Sequence, residues 1–483
     1  MPIIMWLFIV PFIASFAILA LPSKVKPFIK LFAFLLSLIP LIILMINHFQ
    51  LKDMSINYPW IPSFSIGFFL KIDFLSLIFL YLTALIIPMS ILAVNRKELA
   101  HTPLFFSLIL MIQGLLLGFF MARDLVVFTI FWEAMLLPLY FIINIWGSGN
   151  RQQAALKFLV YMIAGSVLML AAILFLYFTA EGSNGSGTFN LDTLQHIAAT
   201  APNAQWVFLI FLLAFAVKTP LFPFHAWLPD AYCHAPTSGT ILLSAILSKA
   251  GIYGFFRISL ELYPQLLKEW SPALLTLAII GVFYGGLAAW MQNDFKRLIA
   301  YSSFSHVNFI LAGLFVWQEP AQAGAILQSI NHAITITALF LVAGWLESRV
   351  QTTSMNQISG LAKYMPKLCW LTLFFVTVSI ALPGTNNFVG ELMILFGLFG
   401  QNPWVAATLG LSIIFSVIYM LRFMQCTYFG VPSSFQSKWI DIGAKELLIS
   451  TPLVFMILWI GIYPGPFLDA INQIISLAHG EPS

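Results

Sequence analysis

Residues 205–258 read QWVFLIFLLAFAVKTPLFPFHAWLPDAYCHAPTSGTILLSAILSKAGIYGFFRI. They contain two apolar runs, 205–228 and 236–258. A bilayer core ~30 Å thick takes about 20 apolar residues in helix, so each run is long enough to cross a membrane. Each run keeps one lysine in its interior, Lys218 and Lys249, and the first is broken at KTPLFPF. Proline supplies no N–H and clashes with the carbonyl four residues back, so Pro220 and Pro223 end a half-helix near Lys218. A charge near a bilayer centre costs about 2.5–3.5 kcal/mol on insertion scales, and charges retained at that cost mark an ion or proton path.

The rest of the chain has the same character. Of 483 residues, 60% are hydrophobic and 8% are charged, against about 25% charged in a soluble domain. That composition excludes a water-soluble enzyme. Fourteen apolar runs follow one another, at about 2–21, 28–47, 74–94, 103–121, 124–145, 154–180, 205–228, 236–258, 273–291, 295–316, 321–346, 369–400, 404–429 and 446–468. They are numbered helices 1 to 14. The longest connections, 48–73, 181–204 and 347–368, are too short for an independent soluble domain, so function must lie in or between helices. The predicted fold is all-α: a polytopic membrane protein of about fourteen transmembrane helices.

Cytoplasmic loops are enriched in Lys and Arg. Of the 22 such residues, fifteen fall beside the loops after odd-numbered helices, five beside those after even-numbered ones, and Lys218 and Lys249 lie inside helices. This alternation predicts both termini on the outer, periplasm-like face of a bacterial inner membrane. The first apolar run has no basic residue before it, so it reads as a transmembrane helix and not as a cleaved signal. Cys233, Cys369 and Cys426 are far apart and form no metal-ligand spacing, so no metal site is predicted. Without a basic block there is no footprint for nucleic acid.

Helices 7 and 12 are both long and interrupted, at KTPLFPF and LPGTNNF, and lie five helices apart. Corresponding broken helices in two halves point to a transport site at a repeat interface. The chain therefore divides into 1–102 (helices 1–3), a first five-helix repeat at 103–258 (helices 4–8), a second at 273–429 (helices 9–13) and helix 14 at 446–468. Five is odd, so the repeats are inverted relative to one another.

Six ionisable residues lie within helices: Glu133 in helix 5, Lys218 at the break of helix 7, Lys249 in helix 8, His306 in helix 10, His332 in helix 11 and Glu391 after the break of helix 12. Lys218 ends a half-helix, where the dipole favours a cation, and Glu391 lies towards the start of one, where it favours a carboxylate. Two unit charges about 6 Å apart at a dielectric of about 20 attract by about 2.8 kcal/mol, comparable to the ~2.3 kcal/mol of one charge crossing ~100 mV. A Glu133–Lys218 pair that opens and closes is therefore on the right scale to move a proton. Structural readings stand beside this one. In them Glu133 and Lys218 form a static ion pair, Lys249 snorkels, the histidines hydrogen-bond between helices and Glu391 caps its half-helix. His225 and Asp230 in FHAWLPDA serve equally to order a loop or to admit protons.

Five motifs carry a family resemblance. FWEAMLLPLY, the stretch FAVKTPLFPFHAWLPDAYCHAPTSGTILLSAILSKAGIYGFFR, QNDFKRLIAYSSFSHVNF, HAITITALFLVAG and LPGTNNFVGE resemble, in order, segments of the antiporter-like membrane subunits of respiratory complex I, shared with multisubunit cation/proton antiporters. The sequence departs from that pattern in three places. Tyr232 stands where His is frequent, and Phe74 after Asp73 and Ala333 after His332 stand where Gly is common. The helix 12 carboxylate, Glu391, resembles the M-type (subunit 4) members, where L- and N-type members usually carry lysine. The chain also ends soon after helix 14 without the long lateral helix of the L-type. The resemblance implies proton translocation in which Glu133 modulates Lys218, Lys249 passes the proton towards the centre, His306 and His332 relay it, and Glu391 is the terminal site. It implies NADH, flavin, iron–sulfur clusters and quinone in partner subunits, with none in this chain, and L-type and N-type subunits as neighbours. A Na⁺/H⁺ antiporter subunit and a structural membrane scaffold are the competing functions.

Overall fold

A computed structural model of the chain describes residues 2–21, 28–94, 102–184, 187–431 and 439–479. Lys24, Lys26, Arg96, Lys97 and Lys438 of the charge alternation lie outside these residues. Among the described residues, eleven helices are long and apolar enough to cross a membrane, and three shorter apolar helices, Ile3–Leu19, Ala204–Lys218 and Pro366–Ser379, occur where the sequence places helices 1, 7 and 12. The chain is an integral multi-pass membrane protein with a predominantly helical fold.

Both predicted breaks are present. Helix 7 stops at Lys218, and the next helix, Trp227–His234, begins only after the two prolines. Helix 12 consists of Pro366–Ser379 and Asn386–Gln401. Helix 5 is interrupted as well, into Leu125–Ala134 and Leu136–Trp146. The cause is legible in FWEAMLLPLY: Pro138 lies four residues beyond Ala134, whose carbonyl it cannot bond. Aspartates cap helices 3, 5 and 10: Asp73 accepts from the Ser76 N–H, Asp124 from Val126 and Val127, and Asp294 from Arg297, satisfying donors that a helix start leaves open.

Two further elements differ from the sequence expectation. The 48–73 connection contains an antiparallel hairpin, β1 (Ser55–Ile61) with β2 (Ile66–Lys71), registered from Ser55 opposite Lys71 to Ile61 opposite Ile66. Helix 14 spans Ala444–Ile462 and is followed by a separate helix, Gly465–His479, where the sequence suggested one run to 468. Pro464 prevents the first helix from continuing.

The chain forms two compact units. The first contains Met1–Thr219, His234–Leu242 and Ile246–Trp270; the second contains Pro220–Cys233, Leu243–Ala245 and Ser271–Ser483. Helices 8, 10 and 11 are buried along almost their whole length, whereas helices 2, 13 and 14 bury about a third or less of theirs. Lys249, His306 and His332 are therefore on the interior helices.

Candidate functional site

In the first unit, Trp132 and Glu133 occupy the last turn of helix 5 before its interruption. Lys218, the last residue of its half-helix and 1% exposed, turns towards them. Its Nζ lies 3.5 Å from the centroid of the Trp132 ring, donates to the Trp132 carbonyl at 3.3 Å and meets Met135 Sδ at 3.7 Å. The ammonium thus has a helix C-terminus behind it and an aromatic face in front, a contact worth about 2 kcal/mol when desolvated. The Trp132 ring is held from its other edge, where Nε1 donates to Ser166 Oγ at 3.1 Å. Glu133 does not close the expected ion pair. It is half-buried and lines an apolar groove of about 950 Å³ together with Phe64, Ile130, Leu137, Ile163 and Phe178.

Lys249 is fully buried midway along helix 8, between two π-helical stretches, Leu243–Leu247 and Phe255–Leu260. Its Nζ lies 3.3 Å from Ser248 Oγ. A Cβ on Gly251 would lie 2.1 Å from Thr219 Oγ1 and 2.9 Å from Thr219 N. Only glycine lets helix 8 cross the end of helix 7 there, and that crossing places the backbones of Lys249 and Lys218 close to one contact point.

In the second unit, Glu391, His306 and His332 come together. His306 Nδ1 is 3.2 Å from Glu391 Oε1, and the rings of His306 and His332 have centroids 6.0 Å apart. All three are at least 94% buried: His306 is 6%, His332 3% and Glu391 4% exposed. Glu391 lies more than a turn inside its half-helix, where the dipole has largely faded, so its direct partners contribute most of its stabilisation.

One of those partners escaped the sequence reading. Gln328 Nε2 donates to Glu391 Oε1 at 3.3 Å, and the amide's own oxygen accepts from Asn331 Nδ2, also at 3.3 Å. Asn331 donates in turn to the Asn386 carbonyl at 2.7 Å, at the start of the second half of helix 12, and Thr335 donates to Asn387 at 3.3 Å. Gln328, Asn331 and Thr335 fall at i, i+3 and i+7, a polar stripe on an otherwise apolar helix, and that spacing could have disclosed them. A Cβ on Gly390 would lie 2.3 Å from Gln328 Oε1, so the glycine before Glu391 permits this close approach. Asp230 pairs with Arg297 and His225 packs against Tyr284 and Phe304 at 4.8 and 4.5 Å, an arrangement that orders the segment after the helix 7 break. Tyr232, in place of the family's frequent histidine, donates to the Leu243 carbonyl at 3.2 Å.

Broken helices bearing buried ionisable groups, present in each of two units of a polytopic helical protein, define a membrane subunit of the antiporter-like class. The chain belongs to the family described as NADH:quinone oxidoreductase/Mrp antiporter, TM, which matches residues 122–418, a range that includes all six predicted site residues. It is 39% identical over 427 residues to NADH-quinone oxidoreductase subunit M of Escherichia coli (strain K12), covering 87% of this chain and 84% of that one. A chain of respiratory complex I from Thermus thermophilus with bound NADH superposes with a TM-score of 0.87 at 30% identity, covering 98% of both. A chain of the Mrp complex from Dietzia sp. DQ12-45-1b shares the fold, with a TM-score of 0.88 at 20% identity over 99% of this chain and 98% of that one.

Proposed function

We propose that this chain is the M-type, proton-translocating subunit in the membrane arm of an NADH:quinone oxidoreductase, and that its protons move through Glu133, Lys218, Lys249, His306, His332 and Glu391. The observation that carries this reading is the buried contact between His306 and Glu391, a proton donor–acceptor pair whose acid is borne by the half-helix that follows a break. In this reading Lys218 takes up a proton and passes it to Lys249, the histidines receive it, and Glu391 is the last site before release. Glu133 modulates Lys218 through space. No electron passes through the chain: NADH, flavin, iron–sulfur clusters and quinone belong to partner subunits, and L-type and N-type subunits flank it. The membrane is a bacterial inner membrane, with both termini on the outer side, as the charge alternation supports.

Glu391→Gln tests this in the purified, reconstituted complex. Gradient formation per NADH oxidised should fall, because an amide can hydrogen-bond His306 but cannot take its proton. An unchanged ratio would overturn the terminal role of Glu391. Na⁺ uptake sustained without an electron donor would move the assignment to a Na⁺/H⁺ antiporter subunit.

A further inference from the structure

Helix 8 carries four polar side chains at four-residue intervals: Lys249, Tyr253, Arg257 and Glu261. In a regular α-helix such a series drifts around the axis, because four residues exceed one turn of 3.6. The π-helical turn at Phe255–Leu260 holds more residues per turn and offsets that drift, and π-bulges of this kind recur at functional sites. A line of polar groups therefore runs from the buried lysine to the helix end, where charge density is high.

Tyr253 is fully buried. Its hydroxyl donates to the Phe120 carbonyl at 2.7 Å and accepts from Arg257 Nε at 2.9 Å, with Ser76 Oγ at 3.3 Å. Arg257, 1% exposed, binds Asp73 through Nη1 at 2.7 Å and Nη2 at 2.8 Å, and Glu261 through Nη1 at 2.6 Å. Arg123 spans the same two carboxylates, at 3.1 Å to Asp73 and 2.8 Å to Glu261. Beyond it, Asp192 lies 3.7 Å from both Arg123 and Lys71, and its side chain is 41% exposed. The cluster thus grades from fully buried to solvent-accessible.

Such a line could conduct protons only if each member could both give and accept one. None of the inner members can. The Tyr253 proton is held on a backbone carbonyl and its oxygen already receives an N–H. A guanidinium stays protonated in proteins and offers no acceptor. Burial alone would raise the Asp73 carboxyl, but Arg257 and Arg123 outweigh it and hold the group well below the usual carboxylate range, so it remains an anion at neutral pH. Two fixed cations across an otherwise polar route form the electrostatic barrier by which pores exclude protons.

We propose that the Tyr253–Arg257–Arg123 cluster is a proton barrier that seals Lys249 from the membrane face bearing Lys71, Arg123 and Asp192. This rests on Lys249 belonging to the relay. A working pump needs such a seal, because a lysine open to both faces would dissipate the gradient it helps to build.

The test uses the complete complex in proteoliposomes loaded with a pH-sensitive dye, without NADH, under a potassium diffusion potential set with valinomycin. Arg257→His places a titratable ring in the barrier. It should raise passive proton conductance severalfold, whereas Arg257→Lys, which keeps the cation, should not. Lys249→Met added to Arg257→His should suppress the leak. Conductance equal to wild type in an assembled Arg257→His complex overturns the barrier while leaving the relay intact; a Lys249→Met complex that still pumps overturns the relay instead. If Arg257→His does not assemble, Asp73→Asn with Arg257→Gln removes both charges of the inner pair and should leak in the same way. If neither complex assembles, or the second assembles without leaking, the cluster is a structural clamp and the barrier is discarded.

Discussion

Glu133 and Lys218 in the first unit, and His306 and Glu391 in the second, are set on one pattern: 173 residues separate Glu133 from His306, and the same number separate Lys218 from Glu391. An aspartate caps the helix that carries the first member in each case, Asp124 for Glu133 and Asp294 for His306. Each cap is also bridged to the connection that follows the next helix, Asp124 to Asn190 and Asp294 to Ser354. The chemistry is inverted on this shared frame. The first unit has its acid on helix 5 and its base at the end of a half-helix; the second has its base on helix 10 and its acid beyond the break. The Lys218 ammonium is taken up by the Trp132 ring and carbonyl and not by Glu133, while the second pair is in contact at 3.2 Å. A pair in contact can share a proton across one hydrogen bond. A pair held apart needs the lysine to move, so the two units are suited to different steps of one transfer.

The largest effects should follow from removing the transferable proton on either side. Lys218→Ala and Glu391→Gln should each lower gradient formation in the reconstituted complex by about a hundredfold, the scale of a lost acid–base group. A loss confined to one unit would break the parallel between them. Next in size is a difference in stability. The first unit ends in a shared cluster around Arg257, whereas the second has separate pairs such as Arg349–Glu446 at 2.7 Å. Asp73→Asn strips a buried guanidinium of its bidentate partner and should cost about 2 kcal/mol, below the full cost of a broken buried pair because Asp73 is partly exposed. Arg349→Ala should cost under about 1 kcal/mol. Thermal denaturation of the detergent-purified complex separates these. The Asp73 carboxyl is lowered in the folded state, so its contribution is complete above the unfolded value of about 3.9 and is lost as pH falls towards the folded value. Asp73→Asn should abolish that acid-side loss.

The sequence disclosed the features with a local cause. Prolines 220, 223 and 383 mark the breaks, and a charge inside an apolar run shows itself by its cost. The interruption of helix 5 has an equally local cause in Pro138. Other features depend on partners distant in sequence. Nothing near Lys218 announces that Trp132, 86 positions away, will take its ammonium, and nothing near Asp73 announces Arg257, 184 positions away. The β1–β2 hairpin is short and lies between two long apolar runs, and its first strand is exposed at all but one position, so no buried face marks it in the sequence.

Gln328→Leu should have an intermediate effect. It removes one of two donors to Glu391 Oε1, an interaction of about 1.5–3 kcal/mol for a charged acceptor. Translocation should fall about tenfold and be partly restored by Gln328→His, which can still donate. A variant with wild-type coupling would show that His306 alone positions the carboxylate, and would bring the second unit closer to the single through-space influence of the first.

The smallest effect is the one that best separates the two designs. If the Trp132 ring and the Glu133 carboxylate share the Lys218 ammonium, weakening one should make the protein depend more on the other. Trp132→Phe keeps a π face but a weaker one, a change of about 0.5–1 kcal/mol, and alone should cost about twofold to fivefold in translocation. Glu133→Ala should cost about threefold in the native background and about tenfold beside Trp132→Phe, a coupling of about 0.7 kcal/mol in a double-mutant cycle. Both substitutions leave Lys218 itself in place, so a general loss of packing would lower activity without producing that interaction. Strict additivity would mean that Glu133 acts on something other than Lys218, for which the apolar groove beside it is the available direction. The through-space arrangement of the first unit would then no longer be the counterpart of the contact between His306 and Glu391.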